Sequence, residues 1–349
     1  MYIEGFVKIG TRTKDLIKYL CSEDIAIIQH DDIDELAAEA LINTRLKAVI
    51  NTGRSMTGSY YSRGSAMLVS NNIQLYDTIL DIAAFKDSDF VRIKDKDLIL
   101  NSSCIFSNSC LSVNNDYIQQ RTLECILNHR NQLSSFINNT FDYAEKEKDF
   151  ILNFNDYPEV NANINGRNAI VVVRSSESRE ALLSLKNFID IKNPILIGVD
   201  GGADIIISCG LTPDILIGDM DSVSDLGIFR SKEIILHAYI DGRCPCLRRI
   251  TNLRIEYKLL PMIGTSEDVA LLLAYDKGAS SIILIGGHNS MTDFLERGRK
   301  GMGSALITRL KIEDKLIDYR HINKLNTLSF NNVGLHYLKN EGDLLCMKM

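Results

Sequence analysis

The stretch ILIGVDGGADIIISCGLTPDILIGDMDS, residues 195–222, decides the fold that we expect and the site that it carries. It contains two short, β-branched runs, 195–199 and 215–217, and an acidic group follows each run closely. Runs of this kind predict buried parallel strands. Because ligands of open α/β sheets bind beyond the carboxyl ends of the strands, the residues after these two runs predict a ligand site.

A regular alternation of strands and helices extends from this stretch in both directions. Strands are predicted at 169–173, 195–199, 215–217, 233–237, 258–262 and 281–285, and helices at 176–188, 203–209 and 265–277. We therefore expect an α/β fold in which residues 158–310 form a mostly parallel, doubly wound sheet. Nearer the amino terminus, a strand, helix and strand at 24–28, 31–44 and 47–51 and a hairpin of 90–93 with 98–100 predict a smaller α/β domain over residues 1–115.

The two predicted domains are joined by a segment of different character. Residues 116–154 contain no glycine and no proline, and their apolar residues recur at helical spacing. This pattern predicts a long helix or a pair of helices, so we assign 116–157 as a helical connector. Residues 311–349 remain as a carboxyl-terminal tail, of which residues 325–349 are mixed and polar.

Composition limits the class of protein. The 349 residues are 45% hydrophobic and 24% charged, with a net charge of -6, which is typical of a globular protein of two or three domains and disfavours nucleic acid as a partner. No stretch has the length and apolar character of a membrane span or of a signal peptide, so we expect a cytoplasmic protein. Among the eight cysteines only Cys244 and Cys246 are closely spaced. A one-residue spacer is poor for a disulfide and gives at most half of a metal site, so structural or incidental thiols are the expectation.

The acidic groups suggest metal and phosphate chemistry. If the strand continues, Asp219 and Asp221 share a face about 7 Å apart at Cα. Two carboxylates brought to about 4 Å repel by about 4 kcal/mol at an effective dielectric of 20, a cost that a cation removes. Mg²⁺ suits such a pair, because it takes one or two carboxylates together with waters and phosphates. Asp200, Gly201 and Gly202 follow the neighbouring strand, where glycines let backbone N–H groups approach a phosphate at a helix start. The alternative for Asp219 and Asp221 is a pair of solvated turn residues.

Three other segments are candidates for the same edge. Thr265 and Ser266 offer hydroxyls after a strand, although this segment also reads as a plain helix N-cap with acidic residues in the first turn. Arg299 and Lys300 lie in a glycine-rich turn and could clamp a polyphosphate, the alternative being a solvated basic turn. Arg243, after Asp241-Gly242, is open to the same two interpretations. No Walker A or Gly-x-Gly-x-x-Gly motif is present.

These residues resemble the nucleotide-binding domain of thiamine pyrophosphokinase. The resemblance is carried by Asp200-Gly201-Gly202, by PDILIGDMDS at 213–222, by Glu267-Asp268 and by Lys277-Gly278-Ala279. That family transfers a pyrophosphoryl group from ATP to the thiamine hydroxyl with Mg²⁺ held by aspartates. The resemblance implies that Asp219 and Asp221 are catalytic, that Asp219, Asp221 and Asp268 hold the metal, and that Asp200, Gly201 and Gly202 lie near ATP or another nucleotide.

Over nearly the whole chain the sequence is also similar to SteA-type cytokinetic ring proteins. These carry a thiamine pyrophosphokinase-like domain behind an amino-terminal domain. The similar stretches are RTKDL at 12–16, AEAL at 38–41, DGR at 241–243, GTSED at 264–268 and GRKGM at 298–302. This similarity implies a role in cell division, with division or envelope proteins as partners and a homodimer as a further option. SteA-type proteins usually end in a membrane helix, whereas residues 325–349 are mixed and polar.

Three functions follow as hypotheses. The first is a SteA-type protein that binds Mg²⁺ and a nucleotide or polyphosphate, the second an active pyrophosphokinase for thiamine or a related heterocyclic alcohol, and the third a non-catalytic scaffold. Thiamine pyrophosphokinases carry Gly-Gly-Arg-x-Asp-His near the last strand, where this chain has GGHNS at 286–290. The roughly 40 residues after Leu310 are also too few for the β-sandwich of about 100 residues that would hold thiamine. Both departures favour the first hypothesis over the second.

Overall fold

The computed structural model describes residues 2–319, which form two compact units. The first unit contains residues 2–148 together with His288–Leu306, and the second contains Asp149–Gly287 and residues 307–319. The predictions for residues 320–349, including the polar character of the tail, lie outside the described residues. Between residues 2 and 319 no helix combines the length and the apolar character that a membrane span needs.

The first unit is built on a mixed sheet. Its strand order is β7-β6-β5-β1-β2-β3-β4-β8, in which β1 to β4 are parallel and β5 to β8 run antiparallel to their neighbours. The strands are β1 (Tyr2–Gly10), β2 (Ile25–Ile28), β3 (Ala48–Asn51), β4 (Gln74–Thr78), β5 (Phe90–Lys94), β6 (Asp97–Leu100), β7 (Cys104–Phe106) and β8 (Cys110–Ser112). The helices are α1 (Thr13–Leu16), α2 (Glu35–Asn43) and α3 (Gly64–Ser70), with 3₁₀ turns at Ile17–Tyr19 and Ile82–Ala84. The predicted strands and the hairpin of β5 and β6 are confirmed.

Alternate residues of the central strands face two separate cores in this unit. In β2, Ala26 and Ile28 pack with Leu41 of α2 and Leu68 of α3, whereas Ile25 and Ile27 pack against the other side of the sheet. Because side chains alternate along a strand, a fully apolar run such as this one must be buried on both faces. This explains why the sequence of β2 shows no polar alternation.

The second unit is built on a parallel sheet of seven strands in the order β13-β12-β11-β10-β9-β14-β15. The strands are β9 (Asn168–Val173), β10 (Ile195–Val199), β11 (Ile215–Gly218), β12 (Glu233–Ala238), β13 (Lys258–Pro261), β14 (Ser281–Ile285) and β15 (Leu316–Asp318). This sheet and the α/β class are confirmed, and each predicted strand of the unit lies within one or two residues of an observed one.

Helices cover both faces of this second sheet. Ile197 of β10 packs in a core with Val269 of the helix at Ser266–Asp276, while Leu196, its neighbour along the strand, packs on the opposite side with Ile206 of the helix at Gly202–Ser208. The long helix α4 (Asn115–Asn153) precedes this unit, and the later helices are α5 (Ser178–Ser184), α6 (Lys186–Lys192), α7 (Gly202–Ser208), α8 (Asp225–Arg230), α9 (Leu247–Leu253), α10 (Ser266–Asp276), α11 (Met291–Leu295) and α12 (Gly303–Lys311). The predicted helix at 176–188 is instead divided into α5 and α6 at Leu185, where ψ is 6°.

The division into units differs from the predicted boundaries in three respects, the first being that β15 lies within the predicted carboxyl-terminal tail. Most of the predicted connector is one continuous helix, α4, which belongs to the first unit as far as Lys148. Residues 288–306, predicted as part of the second domain, also belong to the first unit and pack on α4. Phe294 lies 6.2 Å from Phe136 between ring centroids, and the N–H of Met302 donates to Thr140 Oγ1 at 3.1 Å. Residues 288–306 contact a helix that lies far earlier in the sequence, and no local sequence pattern predicts such a contact.

Candidate functional site

The two acidic groups singled out in the sequence follow neighbouring strands. β10 and β11 are paired in parallel, with Val199 opposite Ile217, so Asp200 and Asp219 emerge at the same edge of the sheet. The N–H of Asp200 donates to the carbonyl of Ile217 at 3.0 Å, and Asp200 Oδ1 accepts a hydrogen bond from the N–H of Met220 at 2.8 Å. The structure thus brings these two predicted residues to one edge, and we name Asp200, Asp219, Asp221 and Ser266 the acidic edge.

Gly218, the last residue of β11, makes room for the Asp200 carboxyl. Its φ is 152°, and a Cβ built at this position would overlap the carboxyl group of Asp200. Any larger residue at 218 would therefore displace that carboxyl or the strand end. Asp200 itself has a φ of 47°, a left-handed conformation that aspartate tolerates better than most residues.

Asp219 and Asp221 do not continue the strand. β11 ends at Gly218, and Met220 is left-handed with a φ of 59°, so the condition for sharing a strand face is not met. Instead Asp219 Oδ1 accepts the N–H of Asp221 at 3.0 Å, which makes a tight turn. Both aspartates are exposed, whereas Met220 between them is buried. The turn conformation that the sequence left open for this pair is the one observed.

The pKa of Asp200, at the acidic edge, is strongly raised. Burial, followed by the charge of Asp219 and to a smaller extent that of Asp221, raises the pKa of Asp200 to about 7. The N–H of Met220 and the hydroxyl of Ser266 donate to the carboxyl and oppose this rise. Ser266 is therefore at the edge, as the sequence predicted. A carboxyl that is buried beside other carboxyls is stabilised by any cation that reaches it.

Thr265 and Asp268 have a structural role at the start of α10. Thr265 is the N-cap, its hydroxyl accepts the N–H of Asp268 at 3.1 Å, and Asp268 Oδ2 accepts the N–H of Thr265 at 2.9 Å. This reciprocal pair is a capping box, and Asp268 is only 1% exposed. Within residues 2–319 no group of three or more His, Cys, Asp or Glu side chains is arranged to hold a metal ion. The structure thus does not assemble Asp219, Asp221 and Asp268 as a metal-binding group, because the Asp268 carboxyl is held in the helix cap.

Close packing requires the second of the two glycines after β10. A Cβ on Gly202 would overlap the carbonyl oxygen of Val172 in β9, and a Cβ on Gly201 would lie 2.7 Å from Cδ of Arg174. The N–H of Gly201 donates to Ser222 Oγ at 3.1 Å. Packing of α7 against the sheet therefore accounts for Gly202, and the predicted contact of both glycines with a nucleotide stays a prediction.

The three cationic residues predicted for the site, Arg243, Arg299 and Lys300, lie in different parts of the structure. Arg243 Nε lies 2.6 Å from Asp241 Oδ2, and its guanidinium stands over the ring of Tyr239 at 5.2 Å. Arg299 and Lys300 belong to the first unit, where the Lys300 carbonyl accepts from Asn139 Nδ2 of α4 at 3.0 Å. Their predicted role at the acidic edge, which is part of the second unit, stays a prediction.

The sequence analysis missed two residues that shape the acidic edge. His237, in β12, lies with Nδ1 3.2 Å from Ser266 Oγ and Nε2 2.9 Å from the Met262 carbonyl. Arg249, on α9, donates to the Met220 carbonyl at 2.7 Å and to the Val223 carbonyl at 2.9 Å. A histidine near the carboxyl end of a predicted parallel strand was a usable signal for the first, whereas the second comes from a helix 29 residues further along the chain.

The point at which the strand order of the second sheet reverses is filled by side chains and backbone. The order reverses between β9 and β14, which is where open α/β sheets commonly bind ligands. Here Ser178 Oγ donates to the Val173 carbonyl at 2.6 Å and lies 2.7 Å from Ser175 Oγ. A Cβ on Gly286 would overlap Ser178 Oγ and the Val173 carbonyl. The acidic edge, one strand away, therefore offers the better candidate.

The fold and the site define an α/β protein with an acidic edge on a parallel sheet, and comparisons with known proteins add little. No family model matches the chain, and no curated protein matches it significantly. Among solved structures it is similar to a 3-isopropylmalate dehydratase from Methanocaldococcus jannaschii, at 14% identity and a TM-score of 0.23, over 35% of this chain and 96% of that one. At this TM-score the similarity carries no argument about fold or function.

Proposed function

We propose that the acidic edge binds Mg²⁺ together with the phosphates of ATP or another nucleotide or polyphosphate. The observation that carries the proposal is the position of Asp200 and Asp219 at the ends of adjacent parallel strands. The donor set fits the ion, because Asp219 and Asp221 offer exposed carboxylates, and oxygen ligands with room for water are what Mg²⁺ prefers. The raised pKa of Asp200 is consistent with an edge that gains stability from a cation.

The resemblance to SteA-type proteins and to thiamine pyrophosphokinases extends this proposal. We infer a cytoplasmic protein that acts with division or envelope proteins, and in which any catalysis is an in-line pyrophosphoryl transfer driven by positioning and charge neutralisation. Asp219 and Asp221 are the residues that would hold the ion, and the Ser266 hydroxyl, beside the Asp200 carboxyl, would contact phosphate or the metal-bound water.

Calorimetric titration of the full chain with MgATP tests the binding step. We expect saturable, Mg²⁺-dependent heat from the wild type and loss of it in the Asp219→Asn/Asp221→Asn double variant. The matched control is Asp190→Asn, which removes an exposed aspartate of α6 in the same unit. Wild-type protein that releases no heat, or a double variant that binds as well as wild type, would refute the proposal.

The partner step needs a separate measurement. If the acidic edge controls assembly, the wild type should capture division or envelope proteins. The Asp219→Asn/Asp221→Asn variant, which we expect not to bind nucleotide, should not capture them. Capture that is identical for the wild type and for the Asp219→Asn/Asp221→Asn variant would favour a scaffold whose contacts do not depend on the edge.

A further inference from the structure

We propose that Cys244 and Cys246 are a redox-active dithiol pair that closes to a reversible disulfide within one chain. Their sulfur atoms lie 3.2 Å apart, closer than two sulfurs in ordinary van der Waals contact. The pair lies in the turn between β12 and α9, and the proposal does not rest on the proposed function.

A tight turn brings the two side chains together. The N–H of Leu247 donates to the carbonyl of Cys244 at 3.1 Å, and Cys246 has φ of -79° and ψ of -7°. With Pro245 at the second position, these values match a type I turn. Proline fixes φ at this position, so the turn is formed before any bond joins the sulfurs.

Both cysteines are free thiols, as the sequence predicted, but the turn brings them closer than the spacing alone suggests. In an extended chain, residues two apart lie about 7 Å apart at Cα, at the upper limit for a disulfide. The turn shortens that separation, and the sulfurs need to approach by only about 1.2 Å to reach the bond length of about 2.0 Å. The incidental thiols expected from the sequence are thus a preformed pair.

The same distance argues against a metal site. Two thiolates on one zinc ion, each about 2.3 Å from the metal with tetrahedral angles, stand about 3.8 Å apart. The observed separation is shorter. Within residues 2–319 no third His, Cys, Asp or Glu side chain completes a metal-binding group there.

The difference in exposure assigns an order to the chemistry. Cys244 is half-buried and Cys246 is buried, so a hydroperoxide reaches the Cys244 sulfur first. That sulfur forms an S–O bond as the O–O bond breaks, which gives a sulfenic acid and releases water or an alcohol. The Cys246 sulfur then attacks the sulfenic sulfur, the S–S bond forms, the S–O bond breaks, and water leaves with the proton of the second thiol. The two sulfurs lose two electrons in total, and the hydroperoxide gains them.

Reversibility follows from the small ring that such a disulfide closes. A bond between residues two apart constrains only three residues, so it gains little from limiting the unfolded chain. Disulfides that are strained or exposed are the labile ones, and a small dithiol reduces them readily. We therefore expect a bond that forms under hydroperoxide and is removed by dithiothreitol.

Mass spectrometry of the full chain tests the pair. Trypsin cleaves after Arg243 and after Arg248, so both cysteines fall in one peptide, residues 244–248. After reduction, treatment with hydrogen peroxide and alkylation, this peptide should be unalkylated and lighter than the dithiol peptide by two hydrogen atoms. Dithiothreitol should restore two alkylatable thiols.

Variants separate the pair from general thiol oxidation. Cys244→Ser and Cys246→Ser should each abolish the two-hydrogen loss, whereas Cys104→Ser, which removes an exposed cysteine of the first unit, should leave it unchanged. Both thiols remaining alkylatable under peroxide that oxidises Cys104, or a disulfide that joins two chains in place of the intramolecular one, would overturn the proposal.

Discussion

The buried carboxyl of Asp77 provides a prediction about how stability depends on pH. Asp77, on β4 of the first unit, is 8% exposed, and its carboxyl accepts the N–H of Ser55 at 3.1 Å and also the Ser55 hydroxyl. Burial outweighs these hydrogen bonds and raises the pKa of Asp77 from 3.8 to about 6. The folded state therefore binds the proton of this group more tightly than the unfolded state does.

The direction and size of the effect follow from proton linkage. A carboxyl with a raised folded-state pKa stabilises the fold below its unfolded pKa, and this contribution is lost as the pH rises through the folded pKa. About two pKa units correspond to about 3 kcal/mol, at 1.36 kcal/mol for each unit. In Asp77→Asn the group cannot ionise, and its side-chain carbonyl can still accept the N–H of Ser55. Because the group is already partly ionised in the unfolded state at pH 4, we expect the stability of Asp77→Asn relative to wild type to increase by about 2.4 kcal/mol between pH 4 and pH 8.

Urea unfolding at a series of pH values, followed by circular dichroism, measures this difference. The comparison between variant and wild type removes the contributions of other titrating groups, such as Glu296, whose pKa is raised to about 7 by burial and by the charges of Asp34 and Asp293. Asp142→Asn, at an exposed position on α4, is the matched control and should show no pH-dependent difference. A stability difference for Asp77→Asn that stays constant from pH 4 to pH 8 would refute the reasoning.

Three further predictions concern the second unit. Gly202→Ala should destabilise this unit by about 1 to 3 kcal/mol in urea unfolding, because its Cβ would overlap the Val172 carbonyl, and an unchanged midpoint would contradict the packing role. Arg249→Ala should accelerate hydrogen exchange of the 219–225 loop by about tenfold, because it removes the hydrogen bonds to the Met220 and Val223 carbonyls. Arg248→Ala, at an exposed neighbouring position, should leave the exchange rate unchanged, and equal exchange rates in the two variants would show that Arg249 does not anchor the loop. Asp200→Asn should remain folded but lose MgATP binding in calorimetry, and retained binding would exclude this carboxyl from the site.

The sequence predicted the second sheet well because each strand there is a short, continuous apolar run. Such runs require burial on both faces, and the alternation with helices then fixes a parallel arrangement. The nearness of Asp200 to Asp219 followed from the same logic, since ends of adjacent parallel strands meet at one edge. The local backbone could not be predicted in this way. Met220 adopts a left-handed turn that redirects Asp221, and its carbonyl accepts a hydrogen bond from Arg249, 29 residues away in sequence.

A glycine and a carboxylate at the end of a strand differ in how strongly they indicate a ligand site. Gly202 reads equally well as a phosphate contact or as close packing, and the overlap with Val172 shows that packing alone requires it. Asp200 is different, because an asparagine at that position could accept the N–H of Met220 equally well without a buried charge beside Asp219. Packing and hydrogen bonding therefore do not require a carboxylate at this position, and the Mg²⁺ site that we propose at the acidic edge would use one.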